Sequence, residues 1–158
     1  FLPITSFMMA LTTFVSQNRG AKEYERARKG AHFGLVCSVS LAETIGLLIA
    51  LFVTPLMRLF VDDPQVIQYG VERAHYATIL FFMLAYSHGV SAVLRGVGKS
   101  VVPMVVMLVC WCLVRVTLLT MLNMLFHNIL FVYLIYPFTW SLSSIVFFLY
   151  YRKINWQE

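Results

Sequence analysis

Acidic side chains are scarce in this sequence of 158 residues, which has seven Asp and Glu against twelve Lys and Arg, and charge of either sign reaches only 12%. A soluble domain carries about 25% charged and about 45–50% apolar residues; here the apolar share is 60% and the mean hydropathy is +0.79. Long polar stretches are missing as well, so no segment outside the apolar runs can bury a core of its own and a second, soluble domain is excluded. Cysteine is sparse. Cys37, Cys110 and Cys112 all fall inside apolar runs, where they read as packing thiols, and their spacing suits neither a disulfide framework nor a zinc site. The His-Glu-x-x-His, Cys-x-x-Cys and Gly-x-Ser-x-Gly patterns are absent. Gly98-Lys99-Ser100 ends like a phosphate loop, but Val93 stands where that loop needs glycine. No enzymatic reaction, no metal and no cofactor is therefore expected. These residues are not expected to include a signal peptide, because their start has neither a basic region nor a small-residue cleavage site.

What is present is a set of five apolar runs, at 1–16, 31–56, 74–94, 101–126 and 128–151. A helix needs about 20 apolar residues to cross a bilayer core, and all but the first run are long enough. The fold expected is all-α, a polytopic transmembrane bundle of about five membrane helices, with residues 1–158 forming one domain. The chain starts at Phe1 with a short run, which reads as a piece of a longer polypeptide.

Alternation across the membrane puts 17–30, 95–100 and 152–158 on one face, and 57–73 with a short turn at 123–128 on the other. Arg19, Lys22, Arg26, Arg28, Lys29, Arg95, Lys99, Arg152 and Lys153 share the first face, whereas Arg58 and Arg73 lie on the second, beside Asp62, Asp63 and Glu72. The first face and the C-terminus are cytoplasmic by the positive-inside rule. The net charge of +5 thus fixes topology and meets anionic lipid; without a coherent basic patch and reading elements, nucleic acid is excluded as a partner.

Local signals refine this picture. The segment Ala21-Lys22-Glu23-Tyr24-Glu25-Arg26-Ala27-Arg28-Lys29 predicts a short interfacial helix with a Glu25–Lys29 pair at i,i+4. Asp63 and Pro64 predict a helix start by capping, and Pro103 plays a similar part at the fourth run. Pro137, inside the fifth run, removes a backbone hydrogen bond and predicts a bend. Gly34, Ser38 and Ala42 recur every fourth residue, the spacing that lets helices approach closely in lipid. Tyr133, Tyr136, Trp140, Tyr150, Tyr151 and Trp156 crowd the last run and its end, where interfacial anchoring accounts for those near the ends.

Charges within the membrane are the strongest functional signal, because each is costly unless paired or hydrated. Glu43 and Arg115 are the two. At a rise of about 1.5 Å per residue they lie roughly 16 and 21 Å from the cytoplasmic end, on helices running the same way. They can therefore meet, either as a structural ion pair or as part of a cavity in which Glu43 exchanges a proton. His88 is the third candidate, within the polar stretch Tyr86-Ser87-His88-Gly89-Val90-Ser91, where it lines water or packs as a core imidazole. His75 and His127 are expected at the interfaces.

Two ordered segments carry a resemblance to a known family. They are Thr13-Phe14-Val15-Ser16-Gln17-Asn18-Arg19-Gly20-Ala21, continuing to Arg26 and Gly30, and Leu94-Arg95-Gly96-Val97-Gly98-Lys99-Ser100-Val101-Val102-Pro103, continuing to Arg115. With the outer turn Phe60-Val61-Asp62-Asp63-Pro64, the chain resembles the C-terminal half of a MATE (multidrug and toxic compound extrusion) transporter. The resemblance implies helices eight to twelve of a twelve-helix protein, the N-terminal lobe of the same polypeptide being the missing partner. It implies antiport of amphipathic or cationic small molecules against H+ or Na+, in a plasma membrane, the inner one of a bacterium. Gln17, Asn18, Gly20, Arg26, Leu94, Arg95, Gly96, Gly98 and Pro103 are the family-like motif positions and are expected to be structural. Glu43, His88 and Arg115 are the candidate ion or substrate residues. The sequence departs from the family where related chains place a carboxylate on helix ten; His88 occupies that stretch instead. A flippase for a lipid-linked sugar and a non-transporting helical assembly module are the alternative readings.

Overall fold

The computed structural model describes residues 2–126 and 129–156, and all its regular elements are helical. In chain order they are α1 (Leu2–Gly20), α2 (Tyr24–Arg58), α3 (Pro64–Thr78), α4 (Phe81–Gly96), α5 (Val101–Met107), a π-helical segment (Leu108–Val114), α6 (Arg115–Phe126) and α7 (Ile129–Arg152). The all-α membrane bundle expected from the apolar runs is present. Tyr24–Arg58, Val101–Leu125 and Leu130–Arg152 are long and apolar enough to cross a membrane, and the bent pair α3 and α4 makes a fourth such path. The first run differs: α1 is nineteen residues long and falls outside that set. The turn predicted at 123–128 and the placement of His127 lie partly or wholly outside the described residues.

Several boundaries depart from the sequence expectation. The short interfacial helix is instead the first two turns of α2, whose 35 residues span roughly 50 Å at 1.5 Å per residue, well past the hydrocarbon core. Gly30 does not break it, because the ring of Phe14 fills the space beside it; a Cβ there would sit 2.0 Å from Phe14 Cε1. Exposed Glu25 and Lys29 pair at 3.4 Å along this extension. The third run is not one straight span. It bends by 57° between α3 and α4, where Leu80 leaves helical geometry and the Thr78 hydroxyl donates back to the Ala74 carbonyl at 2.7 Å, a bond that bends helices. The bend packs on Gly46 of α2, whose missing side chain leaves room for Phe81 and Thr78.

Other predictions hold. Asp63 caps α3 by accepting from the Gln65 amide at 2.8 Å, with Pro64 at the first helical position. Gly34, Ser38 and Ala42 are buried on one face of α2. A Cβ on Gly34 would meet Leu11 of α1 at 2.5 Å, and one on Gly89 of α4 would meet Leu35 of α2 at 2.5 Å. Because lipid tails are as apolar as the side chains, helices in a membrane associate by such close packing and by hydrogen bonds. Fully buried Val15 and Phe147, together with Leu94, continue this core from α1 through α4 to α7. α7 runs unbroken through Pro137, and the Pro137 carbonyl accepts from Ser141 at 2.9 Å. Of the cysteines, Cys110 is buried but Cys112 is exposed on the π-helical segment, against the expectation of three buried thiols.

Candidate functional site

One end of the bundle gathers the family-like motif positions. Arg19 at the end of α1 donates to the Val97 carbonyl at the end of α4. Asn18 holds its own helix, its side chain donating to the Phe14 carbonyl at 2.8 Å and its carbonyl accepting from Glu23, while the Gln17 carbonyl accepts from Ala21. Gly98 takes φ +82°, and around it the amides of Val97, Gly98 and Lys99 return to the carbonyls of Val93, Arg95 and Leu94. These contacts close α4 by the left-handed glycine cap. Gly96 lets α1 and α4 approach closely, since a Cβ would lie 2.8 Å from Val15 Cβ and 2.9 Å from the Thr12 carbonyl. Arg95 donates to Ser91 at 2.7 Å. Leu94 and Pro103 are buried, whereas Gly20 and Arg26 are exposed. The C-terminal Ile154, Asn155 and Trp156 line a cleft with Lys22, Tyr24 and Arg28, so the three segments assigned to one face of the membrane do lie together.

A second cluster lies between α4, the π-helical segment and α7. The buried Ser87 hydroxyl sits 2.9 Å from both Ser143 and Ser144, Trp111 donates to Ser143 at 3.1 Å, and Ser144 donates to the Met83 carbonyl at 2.8 Å. His88 stands edge-on to Trp111 with ring centroids 5.1 Å apart. One turn further on, Arg115 donates from Nε and Nη2 to the buried Thr139 hydroxyl at 3.1 and 2.6 Å. Its guanidinium lies 5.3 Å from the Trp111 ring and 4.7 Å from Tyr136. Arg73 of α3 approaches the same Tyr136 ring at 5.0 Å.

The predicted meeting of Glu43 and Arg115 does not occur. Among the described residues the ion pair found is Glu25–Lys29, and Arg115 is held by Thr139 and two rings. Glu43 sits on α2, which packs on α1, α3 and α4, whereas the π-helical segment packs on α7. Oε2 of Glu43 is buried with no hydrogen-bond partner. The structure therefore joins His88 and Arg115 through Trp111 and leaves Glu43 apart. Magnitudes show why Arg115 can stand without a carboxylate. A charge at mid-membrane costs about 2.5–3.5 kcal/mol, two cation–π contacts return about 0.5–2 kcal/mol each, and interhelical hydrogen bonds in lipid add about 0.6 kcal/mol apiece.

Sequence reasoning missed Arg73, Trp111, Tyr136, Thr139, Ser143 and Ser144. Arg73 was assigned to an outer connection, but helix α3 carries it against α7. Tyr133 and Trp140 are buried; Tyr133 stacks with Tyr76 at 6.1 Å, and Trp140 meets Phe81 edge-on at 6.2 Å. The run Thr139-Trp140-Ser141-Leu142-Ser143-Ser144, polar at four of six positions in an apolar helix, was the available signal. The π-helical turn had none, although such turns are frequent at functional sites.

The fold and this interior define a multi-pass helical membrane protein with a polar, aromatic centre. The profile of the MatE family matches residues 1–122, and the chain belongs to that family; α7 follows the matched part. The chain is also similar to the probable multidrug resistance protein NorM of Thermotoga maritima, 30% identical over 106 residues, which is 67% of this chain and 23% of that protein. The matched part thus spans about a quarter of the relative's length.

Proposed function

We propose that this chain is part of a secondary active exporter that moves amphipathic small molecules, organic cations among them, out of the cell in exchange for H+ or Na+. The observation that carries the reading is membership of the MatE family over residues 1–122, and similarity to a protein described as a probable multidrug resistance protein supports it. In this reading residues 1–158 are helices eight to twelve, the partial C-terminal lobe of the transporter. The basic end and the C-terminus face the cytoplasm of a bacterial inner membrane, and the rest of the polypeptide supplies the other lobe. No chemical reaction and no cofactor is involved. The serine, His88 and Arg115 layer lines the substrate path, while Glu43, with a buried unpartnered oxygen, exchanges the coupling ion. Alternating access follows when ion and substrate favour different lobe arrangements, since a ligand that binds both equally shifts nothing.

The test is efflux of a fluorescent organic cation from vesicles holding the full-length protein, first under a proton gradient and then under a sodium gradient. Efflux driven by one gradient is expected, and Glu43→Gln is expected to abolish it without lowering the amount of protein in the membrane. No efflux under either gradient overturns the reading. The flippase reading keeps one supporting observation, the two guanidinium groups at Tyr136.

A further inference from the structure

We infer that Arg115 and Arg73, arranged around Tyr136, form a binding site for an anionic group, a carboxylate or a phosphate, on an aromatic or otherwise apolar ligand. The inference rests on the transport reading and narrows its substrate class.

Arg73 comes from α3 and Arg115 from the start of α6, and their guanidinium carbons lie 5.0 and 4.7 Å from the centre of one tyrosine ring. The two carbons are therefore no farther apart than the sum of those distances. Like charges at such a separation repel. Neither arginine has a carboxylate at ion-pair distance among the described residues, and the nearby Glu72 instead accepts from Gln68 at 3.1 Å. Arg115 spends Nε and Nη2 on a single acceptor, Thr139, whose own proton goes to the Tyr136 carbonyl at 3.0 Å. Among the described residues no hydrogen bond engages Nη1. Guanidinium groups bind carboxylate and phosphate oxygens through paired, charge-assisted hydrogen bonds, so an anion bound to them beside the Tyr136 ring would offset their repulsion and take up the idle donors.

The surroundings select what carries that anion. Trp111 and Tyr136 already stack on Arg115, and Trp140 meets Tyr136 edge-on at 6.5 Å, so a flat apolar body finds ring faces beside the charge. A ligand bearing only a positive charge would meet two cations here, with Glu72 engaged by Gln68. The site thus takes amphipathic acids, zwitterions or lipid phosphates, and a cationic substrate must be held elsewhere in the whole transporter.

Binding is measured on the full-length protein in phosphatidylcholine nanodiscs and chloride-free buffer, with no gradient applied. The probes are 1-naphthoate and the cation of similar shape, 1-naphthylmethylammonium, read by calorimetry and by quenching of tryptophan fluorescence, with Trp111→Phe assigning the quenched residue. Naphthoate is expected to bind and to quench Trp111. Arg115→Gln and Arg73→Gln should each weaken it tenfold or more, while Arg115→Lys, which keeps the charge, loses less and controls for folding. Phosphatidic acid added to the discs at a few mole per cent separates the sources. Trp111 quenching by this lipid that requires Arg115, without binding of naphthoate, identifies a lipid phosphate as the ligand; binding of naphthoate identifies a soluble acid. The inference is overturned if neither anion depends on the two arginines, or if the ammonium probe quenches Trp111 as strongly as naphthoate does. Binding without transport leaves this site standing and removes the exporter reading, whereas transport of cations without anion binding does the reverse.

Discussion

The two sides of α4 are built on opposite principles. Toward α1 and α2 the helix meets Val15, Leu35 and Ser38 through glycines at 89 and 96, so close that an added methyl group would collide. Toward the π-helical segment and α7 it turns its own Ser87 and His88 to hydroxyls, tryptophans and, past them, a guanidinium. The first interface is a matter of volume and the second a matter of polarity. A bilayer gives both the same solvent, in which apolar burial drives nothing and only packing or hydrogen bonding holds helices together. A chain that had only to stay folded could use the first kind throughout. The second kind brings charge into the membrane at a cost, and it is the side to which the proposed function assigns the substrate path.

The sharpest way to break this comparison is to add volume where the glycines are. Gly96→Val should destabilise the full-length protein in detergent by about 3 kcal/mol, at the upper end of overpacking effects, because the Thr12 carbonyl, unlike a side-chain tip, has no rotamer to move into. Gly20→Val, with nothing within 4 Å of the position, should leave the melting temperature within a degree or so. Equal melting temperatures for the two variants would mean that close packing does not govern this side.

The next contrast removes a hydroxyl at constant shape. Thr139→Val strips Arg115 of its acceptor and should cost about 1.5–3 kcal/mol, the range for hydrogen bonds to charged groups. Thr12→Val, on the packed side, gives up bonds to the Met8 and Ala92 carbonyls at 3.0 and 3.1 Å and should cost only about 0.6 kcal/mol. A larger loss at Thr12 would reverse the assignment of polarity to the α7 side. The smallest effect is expected outside both interfaces, where Lys29→Ala removes an exposed helical ion pair worth about 0.3 kcal/mol; whatever change is seen should vanish in high salt.

How much of this could be read in the sequence follows the same division. The packed side was legible in part, because small residues at a helical period state their requirement locally: Gly34, Ser38 and Ala42 are where their spacing put them, while Gly96 and Gly98 were singled out only by the family resemblance. The side of the basic residues was legible for the same reason, since charge is excluded from lipid one residue at a time. The polar side was not. The break after Thr78 has no Gly or Pro to announce it, and the partner of Arg115 lies on a helix twenty-four residues further on. Counting depth placed Glu43 and Arg115 at similar levels, yet depth says nothing about azimuth. The depth count took the rise of a regular α-helix up to Arg115, and the chain departs from that geometry across Leu108–Val114.

That wide turn also makes the helix from Val101 to Phe126 behave as two pieces with a slip in phase between them. Residues before Leu108 keep the face they would have had in a regular helix, while those from Arg115 onward are rotated against them. Side-chain substitutions cannot undo such a slip, but a change in length can. Deleting one residue within 108–114 should restore the ordinary helical period and leave the guanidinium facing Thr139 and Tyr136 nearly as before, because the wide turn takes up that one residue; deleting one within 101–107 instead should swing everything beyond it by about 100° and carry the guanidinium away. In this helix the position of the charge is written in the number of residues as much as in their identity.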